Sequence, residues 1–280
     1  MASVRARAGL IGAIMLSGLI SGCSGAEQTP QEAMEQFTAE QIFERGEFEL
    51  ASRDPEKAAD FFAEVERLYP YSELAKRALI MQAFSFHQHT DYESSRAAAQ
   101  RYIDFYPADE DAAYAQYLLA LSYYDQIDEV GRDQGLTFQA LQSLRTVIEL
   151  YPNSEYARSA MLKFDLAFDH LAAKEMEIGR YYLRREHYTA AINRFRVVIE
   201  EFQTTAHTPE ALHRLAEAYL ALGLDEEAQT AGAILAYNFQ ASPWYEDTYQ
   251  LLVARDLEAQ AVGNGWLQQI YSQMIKGRWI

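Results

Sequence analysis

The sequence predicts an all-α fold, an α-solenoid of five helix pairs with one long helix joining the third pair to the fourth. Three observations predict it. Small residues recur in register at Gly46, Ala83, Ala120, Gly179 and Ala216, at spacings of 37, 37, 59 and 37. Tyr-Pro breaks close three amphipathic segments, at Tyr69-Pro70, Tyr106-Pro107 and Tyr151-Pro152. Residues 155–185 contain no proline, and their one glycine is Gly179 of the register. A residue before proline is pushed toward extended backbone, so each Tyr-Pro marks the end of a helix.

A second small residue follows the first by twelve in four units, at Ala58, Ser95, Ala191 and Ala228. Four positions later come Phe62, Ala99, Phe195 and Gly232. Small side chains are needed where two antiparallel helices cross closely, and large ones fill the gap to the next pair. The pattern resembles the 34-residue tetratricopeptide helix pair with three residues added. Helix starts agree with it. Thr38 with Gln41 forms a capping-box pattern. Asp54-Pro55 and Thr208-Pro209 each put a cap residue before a proline suited to the first helical position. Asp109-Glu110-Asp111 reads as the acidic first turn of a helix.

The spacing of 59 divides into two insertions. Eight residues enter unit three near 128–135, a polar stretch bearing Gly131 and Gly135. Fourteen more lie between Pro152 and Gly179. Fourteen residues make close to four turns, about 21 Å of helix, and keep its faces nearly in phase. They predict a single helix of roughly 30 residues, with a kinked helix pair as the alternative. The predicted organisation is a signal segment (1–22), a tether (23–37), repeats one to three (38–153), the long helix with repeats four and five (154–243), and a helical extension (244–280).

Cys23 is the only cysteine. It follows Ile20-Ser21-Gly22, and upstream of it Arg5 and Arg7 precede an apolar run of about 15 residues. That run is shorter than the about 20 residues a membrane span takes. The order basic, apolar, small, Gly, Cys looks like a bacterial lipobox, with cleavage before Cys23 and acylation of its thiol. A plain secretory signal is the alternative. With one cysteine no internal disulfide can form. Ser24 after the cysteine resembles the outer-membrane rather than the inner-membrane sorting pattern. Residues 24–37 are polar and read as a leash averaging about 20 Å.

The chain has 24 basic and 41 acidic side chains. Cleavage would remove Arg5 and Arg7 and no acid, leaving 22 against 41, a net of −19. Such a charge excludes nucleic acid and anionic lipid as partners through bulk electrostatics, so the membrane contact expected is the lipid anchor alone. Six histidines are scattered, and no His-Glu-x-x-His, phosphate-binding loop or Gly-x-Ser-x-Gly occurs. His87 and His89 are two apart, which points them to different sides of a helix. No cofactor, metal site or catalytic residue is expected, and function is expected to lie in binding surfaces.

In tetratricopeptide repeats the first helix of each pair lines the concave face. The register puts Phe43, Glu47 and Leu50 there from unit one, Ile80, Phe84 and His87 from unit two, and Tyr117, Leu121 and Tyr124 from unit three. This is an apolar, aromatic set suited to an extended peptide; packing between repeats is the alternative for each residue. Unit four carries Arg180, Arg184, Arg185, Arg194 and Arg196. It reads either as a site for acidic groups of a partner or as a solvated face with ion pairs to Glu175, Glu177, Glu186 and Glu200. After Ser242-Pro243-Trp244 the chain continues as a helical stretch, breaks at Gly263-Asn264-Gly265, and ends in an amphipathic piece with Trp266, Ile270, Met274 and Ile275, then Trp279 and Ile280. A solenoid must cover its last apolar face, so this extension reads as a cap, or else as a docking segment.

The lipobox together with Tyr69-Pro-Tyr-Ser, Leu121-Ser-Tyr-Tyr-Asp-Gln-Ile, Tyr151-Pro-Asn-Ser-Glu-Tyr-Ala, Gly179-Arg-Tyr-Tyr-Leu-Arg-Arg and Ala190-Ala-Ile-Asn-Arg-Phe resembles the BamD family of outer-membrane assembly lipoproteins. The resemblance runs from residue 1 to about 243. It implies a non-enzymatic subunit of the β-barrel assembly machine, lipid-anchored to the outer membrane and facing the periplasm. It implies that the C-terminal repeats hold the last POTRA domain of the barrel subunit BamA. Arg194 would be the contact, with Asn193, Arg180 and Arg184 around it. It further implies that the N-terminal groove receives unfolded outer-membrane proteins and that other lipoproteins of the machine are partners. A tetratricopeptide lipoprotein serving cell division or peptidoglycan synthesis is the alternative.

Overall fold

The computed structural model describes residues 34–130, 132–263 and 265–275. Among these, twelve helices and no strands occur. In order they are α1 Ala39–Ala51, α2 Pro55–Leu68, α3 Glu73–Gln88, α4 Tyr92–Phe105, α5 Ala112–Tyr124, α6 Gly135–Leu150, α7 Glu155–Arg184, α8 Tyr188–Glu201, α9 Thr208–Leu222, α10 Asp225–Asn238, α11 Pro243–Val253 and α12 Trp266–Ile275. From α1 to α10 each helix packs on the next. The odd helices α1, α3, α5, α7 and α9 also touch one another in series and form a continuous inner layer.

The small-residue register is the crossing point of each pair. A Cβ on Gly46 would lie 2.7 Å from the Phe62 ring, and one on Gly179 would lie 2.4 Å from Phe195. Phe62 and Phe195 are fully buried, so each large ring fills the space its glycine leaves. In unit two Ala83 faces Ala99 instead, and Ser95 donates its hydroxyl to the Ala83 carbonyl at 2.9 Å. Unit three obeys the same rule once its eight-residue insertion is counted: Ala120 packs with Leu144, and Ala140 is fully buried.

The turns repeat as well. Arg53, Thr90, Glu186 and Gly223 have φ of 64°, 64°, 61° and 72°. Each lies seven residues after its register residue. The next residue's N–H closes the helix by reaching five residues back, as in Asp54 to Glu49 and Asp91 to Phe86, both 2.9 Å; this is the left-handed helix stop. Asp54 and Asp91 then cap the following helices, accepting from Lys57 N–H at 3.2 Å and Ser94 N–H at 3.1 Å. The Tyr-Pro tyrosines end α2, α4 and α6. Phe202 and Phe239 end α8 and α10 in the same way without a following proline.

The capping box at Thr38 is formed, with Gln41 N–H donating to Thr38 at 3.4 Å and Thr38 N–H to Gln41 at 3.0 Å. Two expected starts differ. His207 holds the cap position of α9, because the Thr208 hydroxyl turns back to donate to the carbonyls of Phe202 and Gln203 at 3.2 and 3.0 Å. The acidic run 109–111 precedes α5 rather than opening it. Asp109 accepts from Tyr102 Oη at 2.6 Å and Lys76 Nζ at 2.7 Å and ties the α4–α5 loop to α3.

α7 is one helix of 30 residues. Its N-terminal half packs with α5 and α6, and its C-terminal half packs with α8 and α9. Beyond α10 the chain folds back over the last pair. Leu252 and Leu267 are buried in the core built by α8, α9 and α10. Between them, Gln229 donates to the Glu258 carbonyl at 3.0 Å and Thr230 to the Val262 carbonyl at 3.0 Å. Cys23 and the signal and tether up to residue 33, the Met274 and Ile275 side chains, and residues 276–280 lie outside the described part. No described helix is long and apolar enough to cross a membrane.

Candidate functional site

The N-terminal candidates sit on the inner layer of odd helices, at different depths. Phe43 and Ile80 are only 4% and 6% exposed. Phe43 is held edge-on by Phe62 with centroids 5.2 Å apart, and the Arg77 guanidinium covers its ring at 5.0 Å. Both residues therefore serve helix packing and present almost no free surface. Leu50, Phe84, His87 and Leu121 are half-buried and border the accessible face. His87 lies 3.1 Å from the Asp125 carboxylate and 5.4 Å from the Tyr92 ring centroid.

Tyr117 and Tyr124 meet the first half of α7. Tyr117 stacks on Tyr156 at 5.4 Å and its hydroxyl pairs with Ser159 at 2.6 Å; Lys163 lies 5.2 Å over the Tyr124 ring. Tyr114 joins the stack at 5.1 Å from Tyr156, and burial pushes its phenol up to about 12. These rings thus join unit three to the long helix. The sequence pattern missed Phe48, which is 57% exposed beside Arg45. It lies one residue beyond the predicted Glu47.

In unit four the arginines are largely held by carboxylates of the chain itself. Arg194 bonds Glu175 at 3.1 Å and Arg180 bonds Glu210 at 2.9 Å. Arg196 bonds Glu200 at 2.8 Å and lies over the Trp266 ring at 4.8 Å. Arg185 covers Tyr181 at 4.7 Å. Arg184 and Asn193 are exposed. The Arg194 side chain is still 43% exposed, so its pairing with Glu175 leaves guanidinium surface open, and a guanidinium has further N–H donors for a carboxylate or carbonyl. Among the described residues no three His, Cys, Asp or Glu side chains converge as a metal site would need.

The chain matches the sequence profile of the YfiO family, described as outer membrane lipoprotein, over residues 35–234. It is 46% identical to the outer membrane protein assembly factor BamD of Caulobacter vibrioides, over 86% of this chain and 79% of that protein. The chain belongs to this family. The factor of the same name from Rickettsia prowazekii is 39% identical over 87% of this chain and 96% of that protein. That from Neisseria meningitidis serogroup A is 26% identical over 85% and 93%. The family match contains α1 to α9 and most of α10; α11 and α12 lie beyond it.

Proposed function

We propose that this chain is a non-catalytic subunit of the outer-membrane β-barrel assembly machine. It is anchored by lipid on Cys23, faces the periplasm, and acts by holding other proteins together. The observation that carries this reading is its similarity, through nearly its whole length, to proteins named as assembly factors. Repeats four and five hold the last POTRA domain of BamA, with Arg194 as the central contact and Asn193, Arg180 and Arg184 around it. The inner face of units one to three receives unfolded outer-membrane proteins along Leu50, Phe84, His87 and Leu121. Other lipoproteins of the machine bind elsewhere on the same chain. Arg194 supports the first contact by its geometry: a cation fixed in direction by Glu175 loses little further entropy when a partner's acceptor arrives.

Arg194→Glu tests the reading. The new carboxylate would face Glu175 and repel the acceptors that Arg194 recruits. Co-purification with BamA should be lost from detergent-solubilised envelopes while the helical circular dichroism stays unchanged. Retained binding would remove Arg194 from the contact.

A further inference from the structure

The turns added to α7 do more than connect two halves. Beside them, between α6 and α8, lies an open cleft of about 490 Å³. Its apolar lining comes from Leu141, Phe164, Phe168, Leu171, Val197 and Phe202. Three of the rings form a ladder, with Phe164 and Phe168 stacked at 5.8 Å and Phe168 and Phe202 tilted at 4.9 Å. Phe138 stands at the lip, 60% exposed. The volume and the apolar, aromatic lining of this cleft lie within the range of ligand and partner pockets.

The charges of the cleft are arranged by wall. Arg145 on the α6 wall lies 5.5 Å over the Phe164 ring and has no carboxylate partner among the described residues. Glu201 at the end of α8 likewise lines the cleft with no cation bound to it among them. Glu175 also lines it, but is already engaged by Arg194. An occupant is therefore invited to bring an acidic group toward α6 and a basic group toward α8. The chain itself shows what form fits beside α8. At the last pair α12 does this in cis: it buries Leu267 in the core, sets Trp266 over Arg196 of α8 at 4.8 Å, and packs along α10.

We infer that the α6–α8 cleft receives an amphipathic helix of a partner protein. Its apolar face fills the phenylalanine ladder, with an acidic residue at Arg145 and a basic residue at Glu201. This is helix-in-groove recognition, the counterpart in trans of what α12 does one pair later. The inference does not rest on the Arg194 contact, since neither Arg145 nor Glu201 touches Arg194.

The test uses the full lipidated chain in its own envelope. A photoreactive benzoylphenylalanine replaces Gln142, which lines the cleft, and in a control replaces the fully exposed Tyr71. The expected result is a discrete protein adduct from position 142 and not from 71. Peptide mapping should place it in a segment with apolar residues at helical i, i+3, i+4 spacing. Glu201→Lys and Arg145→Glu, both at exposed positions, should each reduce the adduct about tenfold with circular dichroism unchanged. The inference is overturned by the absence of an adduct, or by an adduct to lipid, to a second copy of this chain or to an extended unfolded client. It is equally overturned by an adduct indifferent to both charge reversals.

Discussion

Thr90 is a β-branched residue on left-handed backbone, with φ of 64°, a conformation that such residues rarely adopt. The same turn in unit five carries Gly223, so the fold itself shows which residue the position favours. Relief of left-handed strain is worth about 1–2 kcal/mol, against about 0.5–1 kcal/mol for the extra freedom glycine brings to the unfolded chain. Thr90→Gly is therefore expected to stabilise the protein by roughly 0.5–1 kcal/mol, read as a higher urea midpoint with an unchanged slope. Asp109 gives a residue-scale prediction of pH dependence. Hydrogen bonds from Lys76, from the Tyr102 hydroxyl and from the Asp111 N–H hold its carboxyl down to about 2, while an unfolded aspartate titrates near 3.9. A depressed folded value means that stability is fully present above about pH 4 and is lost as the pH falls toward 2. Asp109→Asn should lower the urea midpoint at pH 7, and the gap from the parent should narrow between pH 4 and pH 2. A gap that stays constant over that range would show that the carboxylate charge is not what holds the loop.

Among the elements, α7 is the one whose length carries an argument. It packs into two different neighbourhoods, through Ala157, Ala160 and Phe164 at one end and Ala172, Met176 and Gly179 at the other. Both ends can be satisfied only if their faces keep their relative rotation. Two alanines inserted after the exposed Leu166 would turn one end by about 200° relative to the other, whereas seven would turn it by only about 20°. The two-residue insertion should split urea unfolding into two transitions, and the seven-residue insertion should leave it single. If both unfold alike, the helix is a passive linker. This element was legible in the sequence, because a proline-free stretch of near-integral turns leaves few alternatives to a continuous helix. The Gly46–Phe62 and Gly179–Phe195 crossings were legible for a similar reason, since a missing side chain and a ring sixteen residues on form a local, repeated relation. The rest needed three dimensions. The register identifies which face of α1 and α3 points inward, yet not that Phe62 and Arg77 enclose Phe43. Thr208 reads as a cap by position, and only the approach of the Phe202 and Gln203 carbonyls, just past the end of α8, turns its hydroxyl the other way. The phenylalanine ladder joins Phe164 and Phe168 of α7 to Phe202 just past α8, and no period in the sequence links Phe202 to the other two.

For the molecule as a whole, the inner layer of odd helices makes stability a nearest-neighbour property. In such stacks each pair is supported chiefly by the pairs beside it, and the last pair needs a cover. The segment after α10 supplies that cover, through Leu252 and Leu267 in the core and the hydrogen bonds of Gln229 and Thr230. Arg255 adds a bond to the Leu220 carbonyl at 2.8 Å, at the end of α9. Truncation after Phe239 would strip these groups and uncover Gly232, whose bare backbone now lies against Leu252. The damage should follow position along the stack. Amide exchange is expected to quicken by orders of magnitude in α9 and α10 and to change little in α2 to α5, because local opening free energies follow local burial. Binding should follow the same gradient: the proposed BamA contact through unit four should weaken as its neighbouring pair frays, while the proposed capture of unfolded outer-membrane proteins by units one to three should persist. If the truncated chain instead keeps protection in α10 but loses a partner, the extension is a docking segment and the last pair is stable without a cap. If protection falls uniformly from α2 to α10, the chain unfolds as one cooperative body and the nearest-neighbour description fails.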